Sequence, residues 1–303
     1  MRVMVLGAGA IGSLFGGLLS KNNDVTLVGR EAHVEQVKKH GLRITGEIDA
    51  VVHPFAVCDV SEAEGKPDLL LITVKSYDTG EAAEIAKKVV GEETLILSLQ
   101  NGLDNLEKIT SVLGERNVIA GVTTEGSLFL KPGEIKYTGR GSTVVGEING
   151  SVTERVRRVA EVFNAAGFKT SVSGSIIREI WKKAVVNASI NPITALFDIK
   201  NGEVLQHKPL YEFMRRACVE AVRVARKVGM EMDEEEMVEK TQEVLRVTAE
   251  NYSSMVQSLR KGKSTEIDSI NGYMLRMAVK YGVRVPINEL LVRMVKIREE
   301  MMR

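Results

Sequence analysis

Short apolar runs alternate with amphipathic stretches through the first half of the chain. Val3–Leu6 predicts a buried strand, and the run from Ile11 to Leu19 predicts a helix directly behind it. Val25–Val28 reads as a second strand. Residues 68–74, DLLLITV, form an almost continuous apolar run, the pattern of a strand covered on both faces. A helix is expected over 80–90 and a strand over 94–99. Such alternation makes a parallel sheet with right-handed crossovers. Residues 118–146 differ, with short β-prone runs separated by Pro132-Gly133 and Gly139-Arg140-Gly141. They predict antiparallel strands extending the same sheet. A helix over 153–166 and a strand over 168–172 close this part.

After Gly174 the period turns helical almost throughout. Runs over 210–228, 234–258 and 265–280 predict long helices, with Gly229, Gly262 and Gly282 as stops. The expected fold class is therefore α/β: a Rossmann-type, mostly parallel sheet with helices on both faces over 1–173, then an all-α domain over 174–303. A length of 303 residues fits two domains of roughly 100–200 residues each. No internal repeat or low-complexity linker is present.

Composition narrows the function classes. With 41 basic and 40 acidic side chains the net charge is +1, which argues against bulk binding of nucleic acid or acidic membranes. Cys58 and Cys218 lie far apart and build neither a disulfide framework nor a zinc site. They are expected as buried free thiols in a reducing cytoplasm. The first twenty residues superficially resemble a leader, but five glycines interrupt them. A strand, a tight turn and a helix account better for that placement. No other stretch approaches the roughly 18 unbroken apolar residues of a membrane span.

Those glycines carry the first candidate chemistry. Gly7, Gly9 and Gly12 form G-x-G-x-x-G with Ala8, Ala10 and Ile11 between them, directly after a strand and opening a helix. The first glycine permits the tight turn, the second lets a pyrophosphate approach the backbone, and the third lets helix and strand pack closely. The phosphates then sit at the positive end of the helix dipole. Behind the second strand, where NAD enzymes place a carboxylate for the ribose, stands Gly29-Arg30. Arginine there suits the 2′-phosphate of NADPH, with Arg30 as a solvated loop residue the plainer alternative. Lys75 and Asn101 follow the strands ending near Val74 and Leu99, at the carboxyl edge where ligands of open sheets bind. Either also fits ordinary turn chemistry.

The segment 175–191, SIIREIWKKAVVNASIN, places Lys183, Asn187 and Asn191 four residues apart on a helix otherwise largely apolar. A helix apolar on most sides is buried, and its polar stripe needs partners in a cleft or on a ligand. A solvated face would more often carry Glu, Lys and Gln. Farther on, Asn251 and Ser254 stand one helical turn apart, and Glu266 falls in the first turn of the last long helix, where complementing the helix dipole is the plainer role.

Together these residues resemble the ketopantoate reductase family, within the wider group like 6-phosphogluconate dehydrogenase. The matching pieces are GAGAIG at 7–12, Arg30, TVK at 73–75, QNG at 100–102, WKKAVVNASINPITAL at 181–196, NYSSM at 251–255 and EIDSING at 266–272. The resemblance implies a C-terminal domain like that of 6-phosphogluconate dehydrogenase. It implies that Lys183 is the general acid and that Glu266 supports and orients it. Asn187, Asn191, Asn251 and Ser254 would hold substrate hydroxyl and carboxylate groups. Asn101 would contact cofactor and substrate, and Arg30 and Lys75 would lie near the 2′-phosphate. Where relatives carry an acid, this chain has Ser258. The implied reaction is reduction of the small 2-oxo acid 2-dehydropantoate to pantoate, a step toward pantothenate and coenzyme A, with NADPH or alternatively NADH. Other hydroxy-acid dehydrogenases of the superfamily and a non-catalytic nicotinamide sensor are the alternatives. A homodimer through the helical domain is expected, with no nucleic-acid or membrane partner.

Overall fold

The structure, a computed structural model, describes residues 1–302. The chain forms two compact units: Met1–Gln100 with Asn105–Ile177, and Asn101–Asp104 with Arg178–Arg303.

The first unit begins β1 (Arg2–Leu6), α1 (Ala10–Leu19), β2 (Asp24–Val28), α2 (Glu31–His40), β3 (Leu42–Gly46), β4 (Ala50–Val52), β5 (Phe55–Val57) and β6 (Leu69–Ile72). It continues α3 (Thr79–Ala86), β7 (Leu95–Ser98), α4 (Asn105–Leu113), β8 (Val118–Thr123), β9 (Gly126–Lys131), β10 (Glu134–Gly139), β11 (Thr143–Glu147), α5 (Glu154–Ala165) and β12 (Thr170–Val172). Eight strands form one sheet in the order β12-β11-β8-β7-β6-β1-β2-β5. Every neighbouring pair is parallel except β11 with β8. Strand side chains alternate between faces. Val3, Val5, Leu69 and Leu71 accordingly join Leu14, Phe15 and Phe163 in one apolar layer. Met4, Leu6, Leu70 and Ile72 join Ala82 and Ala86 in the other. Burial on both faces is what makes the 68–74 run continuously apolar.

The antiparallel strands expected to extend this sheet divide between two. Only β8 and β11 enter it; β9 and β10 form a hairpin in a separate four-stranded sheet, β4-β3-β10-β9. There Ile135 of β10 lies opposite Ile44 of β3, and both bury with Tyr137 and Leu42 in the layer under α1. Burying that apolar edge outweighs continuing the main sheet. Cys58 also departs from expectation: it is exposed, in the turn behind β5 where its N–H donates to Glu62 Oε1. Cys218 is buried against Thr241.

The second unit is helical: α6 (Ile176–Phe197, entered from the first unit), α7 (Glu203–Gln206), α8 (Lys208–Lys227), α9 (Glu234–Val247), α10 (Ser254–Arg260), α11 (Asn271–Tyr281) and α12 (Pro286–Glu300). Gly229, Gly262 and Gly282 stop helices with φ of 95°, 61° and 66°. Two predicted helices are shorter than expected. The 234–258 run breaks after Val247, and Ser253 restarts it by capping Val256 N–H and accepting from Thr194 Oγ1 at 2.9 Å. The 265–280 run is helical only from Asn271. Before it, Ser269 and Ile270 N–H both turn back to the Glu266 carbonyl, burying Ile267 and Ile270. Glu266 thus lies in a turn rather than a helix, and α12 follows as the last helix. Leu103 N–H donates to Ser269 O, and Arg276 pairs with Asp104, which ties 101–104 to this unit. Among the described residues no helix is long and apolar enough to cross a membrane.

Candidate active site

In the first unit, the three glycines between β1 and α1 each meet a different constraint. Gly7 has φ of 108°, and a Cβ there would lie 2.6 Å from Val74 N. Its N–H and that of Ala8 donate to Val28 O, which fixes the turn against β2. A Cβ on Gly12 would lie 2.2 Å from Gly7 O and 2.5 Å from Thr73 Oγ1. Gly9 caps α1, and a Cβ there meets only Gly7 O, at 3.9 Å. Space is therefore open in front of α1, where the N–H groups of Ala10, Ile11 and Gly12 have no partner one turn back. The loop fits the pyrophosphate of a dinucleotide.

Arg30 is exposed and caps α2 straight after β2. It lies close enough to Asp78 to oppose the rise that burial gives that carboxyl. Lys75, half-buried, caps the short turn 76–78 behind β6. Gln100, not singled out by the sequence reading, clamps this edge: its Nε2 donates to Val74 O at 2.8 Å and to Thr79 Oγ1 at 2.7 Å. Thr73 Oγ1 donates to Gly7 O at 2.9 Å. Both lie in the TVK and QNG segments, where the sequence pointed to Lys75 and Asn101 instead.

In the second unit, α6 is buried from Trp181 to Ala195 except at Lys182, Lys183 and Asn187, which are partly open. Asn191, next on the stripe, is buried at 7% exposure. Lys183 Nζ donates to Asn101 Oδ1 at 2.7 Å. Burial pulls the Lys183 ammonium down to about 8, and the Glu266 charge acts in the opposite direction. Glu266 itself is buried at 7% exposure. Lys183, Asn101 and Glu266 are thus brought together from three separate stretches of chain.

Asn251 and Ser254 do not share a helix. Asn251 is exposed in the break between α9 and α10, where its carbonyl accepts from Asn201 N–H, and Ser254 opens α10. The bond from Thr194 to Ser253 ties that opening to α6. Ser258 is buried, donating to Ser254 O at 3.0 Å. The arrangement can hold a proton on a lysine that readily gives it up, with the amides of Asn187 and Asn191 farther along the same helix.

The chain matches the family described as ketopantoate reductase PanE/ApbA over residues 3–150, and its C-terminal counterpart over 175–299. A 2-dehydropantoate 2-reductase of Pyrococcus horikoshii is 40% identical over 302 residues, covering 99% of this chain and 98% of the relative. The protein of that name from Archaeoglobus fulgidus is 39% identical, covering 97% of both chains. A PanE/ApbA family ketopantoate reductase from Ralstonia eutropha superposes with a TM-score of 0.92 at 30% identity, over 100% of this chain and 99% of that one. D-mandelate dehydrogenase, solved with NADH and anilino(oxo)acetate, gives 0.95 at 27% identity, over 100% and 99%. The chain belongs to the ketopantoate reductase family of oxidoreductases.

Proposed function

We propose that this protein reduces 2-dehydropantoate to pantoate with NADPH. The observation that carries the reading is the Lys183 ammonium on a buried helix, hydrogen-bonded to Asn101 and in the field of Glu266. The loop from Gly7 to Gly12 would hold the dinucleotide, whose reduced nicotinamide would supply a hydride. Negative charge then develops on the substrate's carbonyl oxygen. Lys183 stabilises that charge and gives up its proton to the oxygen. Glu266 favours the charged lysine and so keeps the acid loaded at neutral pH. Asn187, Asn191, Asn251 and Ser254 donate to the substrate's carboxylate and hydroxyl without adding charge. Asn101 orients Lys183 through its side-chain oxygen.

The test is loss of reduced-nicotinamide absorbance on adding 2-dehydropantoate. No loss with NADPH or NADH, in folded protein, removes the reading and leaves a nicotinamide sensor. The likeness to D-mandelate dehydrogenase supports a second reading, in which another 2-oxo acid is preferred. A higher kcat/KM with the oxo acid of mandelate than with 2-dehydropantoate would favour it.

Arg30 and Lys75 supply the charge for a 2′-phosphate. Charge-assisted hydrogen bonds contribute roughly 1.5–3 kcal/mol, so Arg30→Ala is expected to weaken NADPH about ten- to a hundredfold and NADH hardly at all. Separate Kd measurements check this; an equal change for both shows that Arg30 does not read the phosphate. A homodimer belongs to the same proposal. Leu290, Met294, Ile297 and Met301 leave an apolar stripe exposed along and just past α12, 40–75% accessible, suited to a second copy. A monomer mass by light scattering at micromolar concentration would remove it.

A further inference from the structure

Helix α6 runs unbroken through Pro192. In an α-helix the N–H of each residue bonds to the carbonyl four positions earlier, and proline has none to give. Ala188 O therefore lacks its partner within the helix. Ala188 is fully buried, where an unpaired carbonyl is costly. The missing donor comes from another helix: Asn271 Nδ2, at the start of α11, lies 3.0 Å from Ala188 O.

The Asn271 amide is itself held in one orientation. Its Nδ2 also donates to Asn288 Oδ1 at 3.0 Å. Asn288 Nδ2 in turn donates to Glu220 Oε2 at 2.9 Å and to Ala217 O at 3.0 Å. Glu220 accepts the N–H groups of Ile287 and Asn288 as well. An ionised carboxylate only accepts, so it turns the Asn288 amide group toward itself and the Asn288 oxygen toward Asn271. That leaves Asn271 as donor to α6. Asn271 and Asn288 are 0% and 1% exposed, so no solvent competes.

The place of this bond matters. Ala188 directly follows Asn187, and Pro192 directly follows Asn191. Asn271 also directly follows the turn that carries Glu266, in which Ile270 N–H donates to Glu266 O and, from the residue after Asn271, Gly272 N–H donates to Ile267 O. We propose that Asn271 is a positioning residue of the reductase site. Its side-chain amide replaces the backbone N–H missing at Pro192 and holds the Lys183, Asn187 and Asn191 stripe in register with the Glu266 turn. The proposal rests on reading that stripe as the substrate face.

The test is a double-mutant cycle of Asn271→Leu, Pro192→Ala and the two combined. Asn271→Leu is expected to lower kcat on the order of 10²-fold through misplacement, without changing cofactor Kd. Pro192→Ala returns an N–H to the helix, so adding Asn271→Leu to it should cost far less. Titration of Lys183, followed by NMR of ¹³C-labelled lysine, requires no turnover. It should move to lower pH in Asn271→Leu, as Glu266 loses its place, and recover in the double variant. Asn271→Ser, too short to reach Ala188 O, is made alongside in case the leucine variant does not fold. A lowered Tm with kcat and the Lys183 titration unchanged overturns the proposal, because the role is then merely structural. So does a double variant that loses as much relative to Pro192→Ala as Asn271→Leu loses relative to the parent. A parent protein that reduces no 2-oxo acid overturns the functional reading instead, while the lysine titration still decides the role of Asn271.

Discussion

Lys183→Ala is expected to lower kcat by about 10²- to 10⁴-fold, the usual range for losing a general acid. The substitution removes both the proton and the positive charge where the alkoxide forms. Affinity for the cofactor should not change, because the glycine loop and Arg30 are untouched. Lys182 is the control. Like Lys183 it is partly open, but it points about 100° away around the helix, so Lys182→Ala should leave kcat nearly intact. Asn187→Ala and Asn191→Ala should act mainly through KM, as losses of uniform binding do. Circular dichroism and a melting curve separate lost chemistry from lost fold. The idea fails if Lys182→Ala is the damaging change.

The same lysine sets a pH dependence whose sign follows from its environment. Burial pulls its pKa down to about 8, and reduction needs the charged form. Reductive kcat should be flat below that value and fall as pH rises through it. Oxidation of the hydroxy acid needs the neutral amine and should rise over the same interval. Glu266→Gln removes the charge that favours the ammonium, so the inflection should move to lower pH. In Lys183→Ala it should vanish from both directions; an inflection that persists there belongs to another group.

What the sequence disclosed depended on how local each cause is. The glycine loop was legible because all three glycines act within six residues on one turn and one helix start. The stripe on α6 was legible because a spacing of four defines a helical face without any knowledge of neighbours. The Glu266 turn was not, since residues 265–270 have no strong helix breaker. Their departure from a helix goes with the burial of Ile267 and Ile270, a tertiary effect. The break before Ser253 depends on Thr194, 59 residues away, and the Gln100 clamp on Val74, 26 residues away. Strands β3 to β5 are only three to five residues long, too short to carry a clear period. Which sheet the β9–β10 hairpin joins is a tertiary choice, made by Ile135 and Tyr137 under α1 rather than by the turn at Pro132-Gly133.

Gly12→Ala is expected to damage both folding and cofactor binding, whereas Gly9→Ala should damage binding alone. At position 12 the new methyl would stand 2.2 Å from Gly7 O, and that oxygen cannot retreat. Gly7 N–H is bonded to Val28 O, and Gly7 O accepts from Gly9 N–H and Thr73 Oγ1. Relief requires α1 to lift from the strands it packs on, so the cost should exceed the roughly 1–3 kcal/mol of ordinary overpacking. At about 2–4 °C per kcal/mol, Tm should fall by several degrees or more, and a displaced α1 should weaken either dinucleotide roughly 10²-fold or further. At position 9 the backbone has φ of −83°, ordinary for any residue, and the nearest atom to an added methyl is 3.9 Å away. Tm without cofactor should therefore match the parent. The methyl would nevertheless fill the space in front of α1 that the pyrophosphate needs. Because NADPH and NADH share that group, Gly9→Ala should weaken both equally, in contrast to the selective loss expected for Arg30→Ala. Parent-like binding of both cofactors by Gly9→Ala would show that the phosphates lie elsewhere, and a parent-like melt of Gly12→Ala would show that α1 is not packed on β1 as described.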